Sequence, residues 1–147
     1  MKTRFYQWLR SDLGNGLNNY IIFIFRIVVS LELIVVHGLK KVGILTVKAE
    51  IVDNPFHLPY MLNDILAITA NLICPLFVIV GFGTRIASIP IVIVTLTGYF
   101  IVHAGGSLAE RDIPFMYSMA FLLIVFTGAG RCSLDNIIYE RYYNNNL

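Results

Sequence analysis

Four long apolar runs, parted by short polar stretches, set the pattern of this chain. The central pair, NLICPLFVIV from Asn71 and IASIPIVIVTLTGYFIVH up to His103, is joined only by Gly81-Phe82-Gly83-Thr84-Arg85. The glycines suit the tight backbone of a turn, and Arg85 is a single cation among apolar neighbours. With residues 62–70 added, each arm has about the length that crosses a hydrocarbon core at about 1.5 Å per residue. The pair therefore reads as a transmembrane helical hairpin. A first run, residues 20–37, precedes it and a fourth, residues 114–129, follows. The runs are continuously apolar rather than alternating, which excludes a β-barrel. The predicted fold is all-α: a membrane four-helix antiparallel bundle over residues 20–135.

The flanks refine this picture. In residues 1–19, Phe5, Trp8 and Leu9 recur at helical spacing beside Lys2, Arg4 and Arg10, until Gly14-Asn15-Gly16 breaks the pattern. That pattern predicts a short N-terminal interfacial amphipathic helix. Pro55 and Pro59 forbid a continuous helix through the polar connection 38–61. Asn63 or Asp64 is the expected N-cap of the second crossing, and Pro75 the expected site of a kink. Residues 104–113 read as a loop, with Pro114 opening the fourth crossing. Ser133 is placed to cap a final short helix, and residues 136–147 form a polar tail, expected to fray from Tyr139 to Leu147.

Composition agrees with a membrane protein. Of 147 residues, 57% are hydrophobic, more than a water-soluble domain of this size could hide. A net charge of +2 is too small to argue for nucleic acid as a partner; the partners expected are the lipid bilayer and either another protein or further copies of the chain. Cys74 and Cys132 form no CxxC pattern and lie in different parts of the predicted bundle, so no disulfide is expected. Lysine and arginine favour the cytoplasmic side. The two tails and the 81–85 turn hold Lys2, Arg4, Arg10, Arg85, Arg131 and Arg141, against Lys40, Lys41, Lys48 and Arg111 opposite. This bias predicts a multi-pass protein of the inner (cytoplasmic) membrane with both termini cytoplasmic. His37, His57 and His103 then share the outer side with Asp64, Glu110 and Asp112.

Few residues carry candidate chemistry. Arg26 and Glu32 lie inside the first run, where charge is expensive, so both are expected to face protein or a water-filled cavity. Arg26, Ser30, Leu33 and His37 share one helical stripe, and Asn71, Tyr99 and Tyr117 are the candidate partners of Arg26. His37 and His103 could bond a quinone carbonyl or simply end helices at the polar boundary. No H-x3-H or ExxH spacing supports a metal, and haem between the two histidines is not favoured. Arg85 and Asp135, at the same end of the bundle, are expected to pair.

Several separated motifs resemble one known family. Residues 70–104, with CPLFVIVGFGTRIASIPIVIVTL and IVHA, are similar to the centre of the DoxX family of small four-helix membrane proteins. Phe25-Arg26, His37-Gly38 and Lys41 resemble its first-helix pattern, and Gly128-Ala129-Gly130-Arg131-Cys132-Ser133-Leu134-Asp135 its closing signature. Where the family carries a glutamate in the second helix, this chain has Asn71; the acid that precedes the fourth helix is best matched by Asp112. The resemblance implies a membrane subunit or anchor of a redox system, of the sulfur/quinone or oxidative-stress kind, rather than a stand-alone enzyme. Quinone is the implied ligand, and Arg26, Glu32, His37, Asn71, Tyr99, His103 and Asp112 are the residues that would meet it. A transporter component and a non-catalytic scaffold are the competing expectations.

Overall fold

Every regular element among the described residues, 16–44 and 48–144 of this computed structural model, is helical. Helix α1 runs Gly16–Leu33 and continues through a π turn, Ile34–Gly38, to Leu39–Lys41. Helix α2 comprises Tyr60–Ile68, a π turn at Thr69–Ile73, and Cys74–Val80. Helix α3 is Thr84–Thr97 followed by a π turn, Gly98–Val102; α4 is Leu108–Thr127 and α5 is Leu134–Asn144. Helices α1, α2 and α3 are each long and apolar enough to cross a membrane. Glu110, Arg111 and Asp112 near its start set α4 apart from them, although residues 113–127 are apolar.

The helix boundaries depart from the sequence expectations in three places. Pro59, extended at ψ 130°, turns the chain into α2, so the helix opens at Tyr60. Asn63 is not its cap: its amide donates to the carbonyls of Asp53 at 3.2 Å and Val52 at 3.5 Å, pinning the connection instead. Helix α4 starts at Leu108 rather than Pro114, because the Ser107 hydroxyl accepts from the Glu110 N–H. Pro114 lies inside the helix. The C-terminal segment is helical over Leu134–Asn144 rather than frayed, and Ser133 caps it as expected, its hydroxyl accepting from the Asn136 N–H at 3.2 Å. The predicted amphipathic helix falls largely in residues 1–15, outside the described residues; from Gly16 the chain already belongs to α1.

Helix α1 packs on α2, α2 on α3 and α3 on α4, and α4 returns to touch α1. Leu33, Val78, Ile91, Phe121 and Ile124 fill the centre. The α3–α4 contact, the most extensive, is built on small hydroxyl residues: Ser88 and Ser118 are fully buried, and the Ser118 and Thr95 hydroxyls meet at 2.9 Å. Small residues let backbones approach, and hydroxyls that bond their own helix or each other leave nothing polar exposed to lipid. Thr95 also bonds the Ile91 carbonyl at 2.9 Å, and Ser118 the Pro114 carbonyl at 2.7 Å.

The π turns of α1 and α3 lie toward the end away from the α2–α3 turn, and that of α2 lies in the middle of its helix. The one in α2 has a readable cause: Pro75 has no N–H to offer the Asn71 carbonyl four residues back. Gly38 fills the space this leaves. A Cβ there would sit 2.5 Å from the Asn71 carbonyl oxygen, so α1 and α2 can approach this closely only through glycine.

Candidate functional site

The two ends of the helix assembly do different things. At the α2–α3 turn, Arg26 is fully buried. Its guanidinium donates to the Ala129 carbonyl, to Cys132 O at 2.9 Å and, more weakly, to Ile79 O at 3.4 Å. Ile79 belongs to the last turn of α2, and Ala129 and Cys132 to the link between α4 and α5. Carbonyls at helix ends lack intrahelical donors, and a buried guanidinium supplies several at once. The expectation that Arg26 faces inward holds. Its hydrogen-bond partners are main-chain carbonyls, not Asn71, Tyr99 or Tyr117, and Asp135 is an acid whose charge reaches it.

Asp135 ties α5 to the same end. Its carboxylate accepts the N–H groups of Gly83 at 2.8 Å and Thr84 at 3.2 Å, and its own N–H donates to Gly81 O at 3.0 Å. Asp135 thus binds the hairpin turn through the main chain that flanks Arg85. Gly81 is left-handed, φ 79°, and a Cβ there would meet Ser133 Cβ at 2.6 Å and Arg26 Nη1 at 2.9 Å. The Arg26, Gly-Phe-Gly and Gly-Ala-Gly…Ser-Leu-Asp motifs, far apart in sequence, meet in one knot.

At the opposite end the helices part around a cavity of about 850 Å³. Its walls are mostly apolar, among them Leu33, Leu66, Ile93, Val94 and Pro114, with residues 50–58 of the α1–α2 connection forming one side. Each π turn contributes: His37 from α1, Thr69 and Asn71 from α2, Gly98 and Val102 from α3. A π turn rotates the side chains that follow it, and such turns cluster at functional sites. His37 is half-buried, its Nε2 is shielded and has no hydrogen-bond partner among the described residues, and its ring stands edge-on to Tyr117 at 5.4 Å. The Asn71 amide N–H donates to Ala67 O at 2.8 Å. His103 and Glu110 line the rim, as do Lys41 and Glu50, which pair at 3.6 Å.

Of the residues singled out from sequence, His37, Asn71 and His103 are brought together here. Arg26 is not; it belongs to the far knot. Tyr99 turns away to stack against Arg111 at 4.5 Å and Phe115 at 5.4 Å. Asp112 is exposed, and His57 and Asp64 are exposed and outside the cavity wall. Glu32 is the clearest departure. It is exposed on the outer face of α1, not turned to protein or cavity, because the inner stripe of that helix is taken by Arg26, Ser30, Leu33 and Ile34. The sequence points to Tyr117 only as a partner of Arg26 and to Lys41 only within a motif, yet both line the cavity; the His37 stripe and the residue one turn on are the signal. No group of three His, Cys, Asp or Glu side chains able to hold a metal occurs among the described residues.

Three apolar membrane-length helices around a largely apolar cavity define a polytopic helical membrane protein with an internal ligand-sized space. The chain belongs to the DoxX family, whose model matches residues 21–104. That stretch covers α1 to α3 and stops before α4. A protein of Haemophilus influenzae described as uncharacterized is 31% identical over 102 residues, which are 64% of this chain and 68% of that protein. A second uncharacterized protein of the same organism is 32% identical over 73 residues, 45% of this chain and 54% of the relative. No solved structure matches.

Proposed function

We propose that this chain is a membrane subunit of a redox system whose cavity takes a quinone-class ligand. In this reading α4 is a fourth crossing, the helices form an antiparallel bundle in the inner membrane, and both termini are cytoplasmic. The observation that carries it is the cavity itself: a volume in the range that holds drug-sized ligands, mostly apolar walls, and polar groups such as His37, Asn71 and Tyr117 among them. A quinone has a matching build, an apolar body with carbonyl oxygens at its head. His37 Nε2, shielded and unpartnered, is the group best placed to bond such a carbonyl. Passage through the protein fits less well. The cavity wall ends at Asn71 on α2, Pro90 on α3 and Tyr117 on α4, and fully buried Val78, Phe121 and the Arg26 knot lie beyond. This arrangement favours holding a ligand over transport.

The test is photolabelling of reconstituted protein with an azido-quinone, in competition with unlabelled quinone. The expected result is displaceable labelling of α1 near His37 or α2 near Asn71, lost in His37→Leu. Labelling that excess quinone does not displace, or that His37→Leu leaves untouched, rejects the reading.

A further inference from the structure

Glu32 poses a problem that the cavity does not solve. It sits about 13 Å along α1 from Lys41 at the rise of a helix, well inside a membrane-length span. Its side chain is exposed, and it has no ion-pair or hydrogen-bond partner among the described residues. Its neighbours on that face, Ile24, Val28, Leu31, Val35 and Val36, are all exposed and apolar, as a lipid-facing surface should be. An acid in that position is costly against lipid, and intramembrane charge of this kind marks interaction or function.

From this geometry we infer that the Ile24–Val28–Leu31–Glu32–Val35 face of α1 docks a transmembrane helix of a different protein, carrying a lysine or arginine at the depth of Glu32. Charge complementarity selects the occupant. Among the described residues a second copy of this chain offers no match: its own intramembrane cation, Arg26, is fully buried and committed to carbonyls. Its remaining described cations lie at helix ends or in connections, apart from Arg111 in the first turn of α4, which stacks on Tyr99. The inference deepens the membrane-subunit reading, on which it rests, by naming the chemistry of the partner.

The experiment uses the full chain in phosphatidylcholine vesicles, labelled at a cysteine introduced at Ala104 with Cys132 replaced by serine. The probe is a synthetic leucine-rich transmembrane helix bearing one lysine at matching depth, read by energy transfer against an all-leucine version. The expected result is association of the lysine helix about three- to tenfold stronger than that of the leucine helix, and no such difference for Glu32→Gln. An equal response to both probes, or a preference that survives Glu32→Gln, overturns the inference. So does Glu32-dependent transfer between copies of the chain with indifference to the lysine probe, which assigns the face to self-association. Glu32 touches nothing in the interior, so Glu32→Gln should unfold at the wild-type temperature; a lower temperature would place the carboxylate in the fold and also overturn the proposal. Displaceable azido-quinone labelling is measured on the same vesicles, so loss of the docking result can be told apart from loss of the cavity reading.

Discussion

Replacing Arg26 tests whether a buried cation in a membrane helix serves the fold or the ligand. The structure makes it a structural clamp. Its guanidinium holds Ala129 O and Cys132 O and reaches Ile79 O, joining the end of α2 to the link between α4 and α5. Hydrogen bonds from a charged donor contribute about 1.5–3 kcal/mol each, and each carbonyl left bare in a buried place costs about 1–3 kcal/mol. Arg26→Met also removes the desolvation penalty of a buried cation, several kcal/mol in the opposite direction. The balance is a loss of about 2–4 kcal/mol. For a chain of this size that lowers the unfolding temperature by about 5–15 °C.

The assay is thermal unfolding in detergent, followed by loss of the monodisperse peak in fluorescence-detected size exclusion. Arg26→Lys should fall between wild type and Arg26→Met, because one ammonium cannot span carbonyls from separate elements as the planar fork does. Azido-quinone labelling of the folded fraction should stay at the wild-type level in Arg26→Lys, since Arg26 is not part of the cavity wall. An Arg26→Met protein that melts with wild type would refute the clamp. Wild-type melting together with lost labelling would return Arg26 to the ligand, as its sequence position first suggests.

Three further outcomes follow from the same geometry. Gly38→Ala puts a methyl group 2.5 Å from the Asn71 carbonyl oxygen, so it should push α1 from α2, lower the unfolding temperature and weaken azido-quinone labelling together; a silent substitution would contradict the close approach. Asp135→Ala strands the N–H groups of Gly83 and Thr84 and should destabilise by about 1–3 kcal/mol in the same melting assay, with labelling of the folded protein unchanged. If α4 is a fourth crossing, cysteines at Ala104 and Lys48 should react with an impermeant reagent from one side of the membrane and a cysteine at Gly83 from the other. Reaction of 83 and 104 from one side would sink the four-crossing arrangement.

The apolar runs were enough to place the long helices, because a continuous stretch of that length has few other stable forms in lipid. Their ends were harder to read. Pro114 looks like a helix start, but the Ser107-Leu108-Ala109-Glu110 capping pattern six residues earlier is the actual signal, visible in the sequence and outweighed there by the charged run. The π turns had no signature of their own. The one in α2 depends on a missing N–H at Pro75 and on the meeting of Gly38 with the Asn71 carbonyl, which is a tertiary fact. The candidate ligand residues divided for a similar reason. His37 and Asn71 sit on different helices, and only packing shows that they share a cavity while Tyr99 turns to Arg111. For Arg26 and Glu32 the same rule, that intramembrane charge faces inward, succeeded once and failed once. Arg26 lies on the inner stripe of α1 with Ser30, Leu33 and His37, and Glu32 lies off it.

The family motifs separate along the membrane normal according to the work they do. Arg26, Gly81, Ala129, Cys132, Ser133 and Asp135 all act through main-chain groups at the hairpin end, and each contact joins helices that would otherwise have loose ends. His37, Gly38 and Lys41 lie at the cavity end, where two of the three present side chains to the space. The hairpin-end set is indifferent to what the cavity holds, because its partners are peptide carbonyls and N–H groups rather than a ligand. The cavity-end set can change with the ligand, and Asn71 is where such a change is legible. The family resemblance implies a glutamate at this place on the cavity wall, and the Asn71 amide caps a carbonyl one turn back. An amide there can hold a hydrogen bond but cannot release a proton at neutral pH. Any chemistry in this chain that needs proton exchange at the cavity therefore has to draw on His37, His103, Lys41, Tyr117 or the rim carboxylates of Glu50, Asp53 and Glu110 rather than on α2.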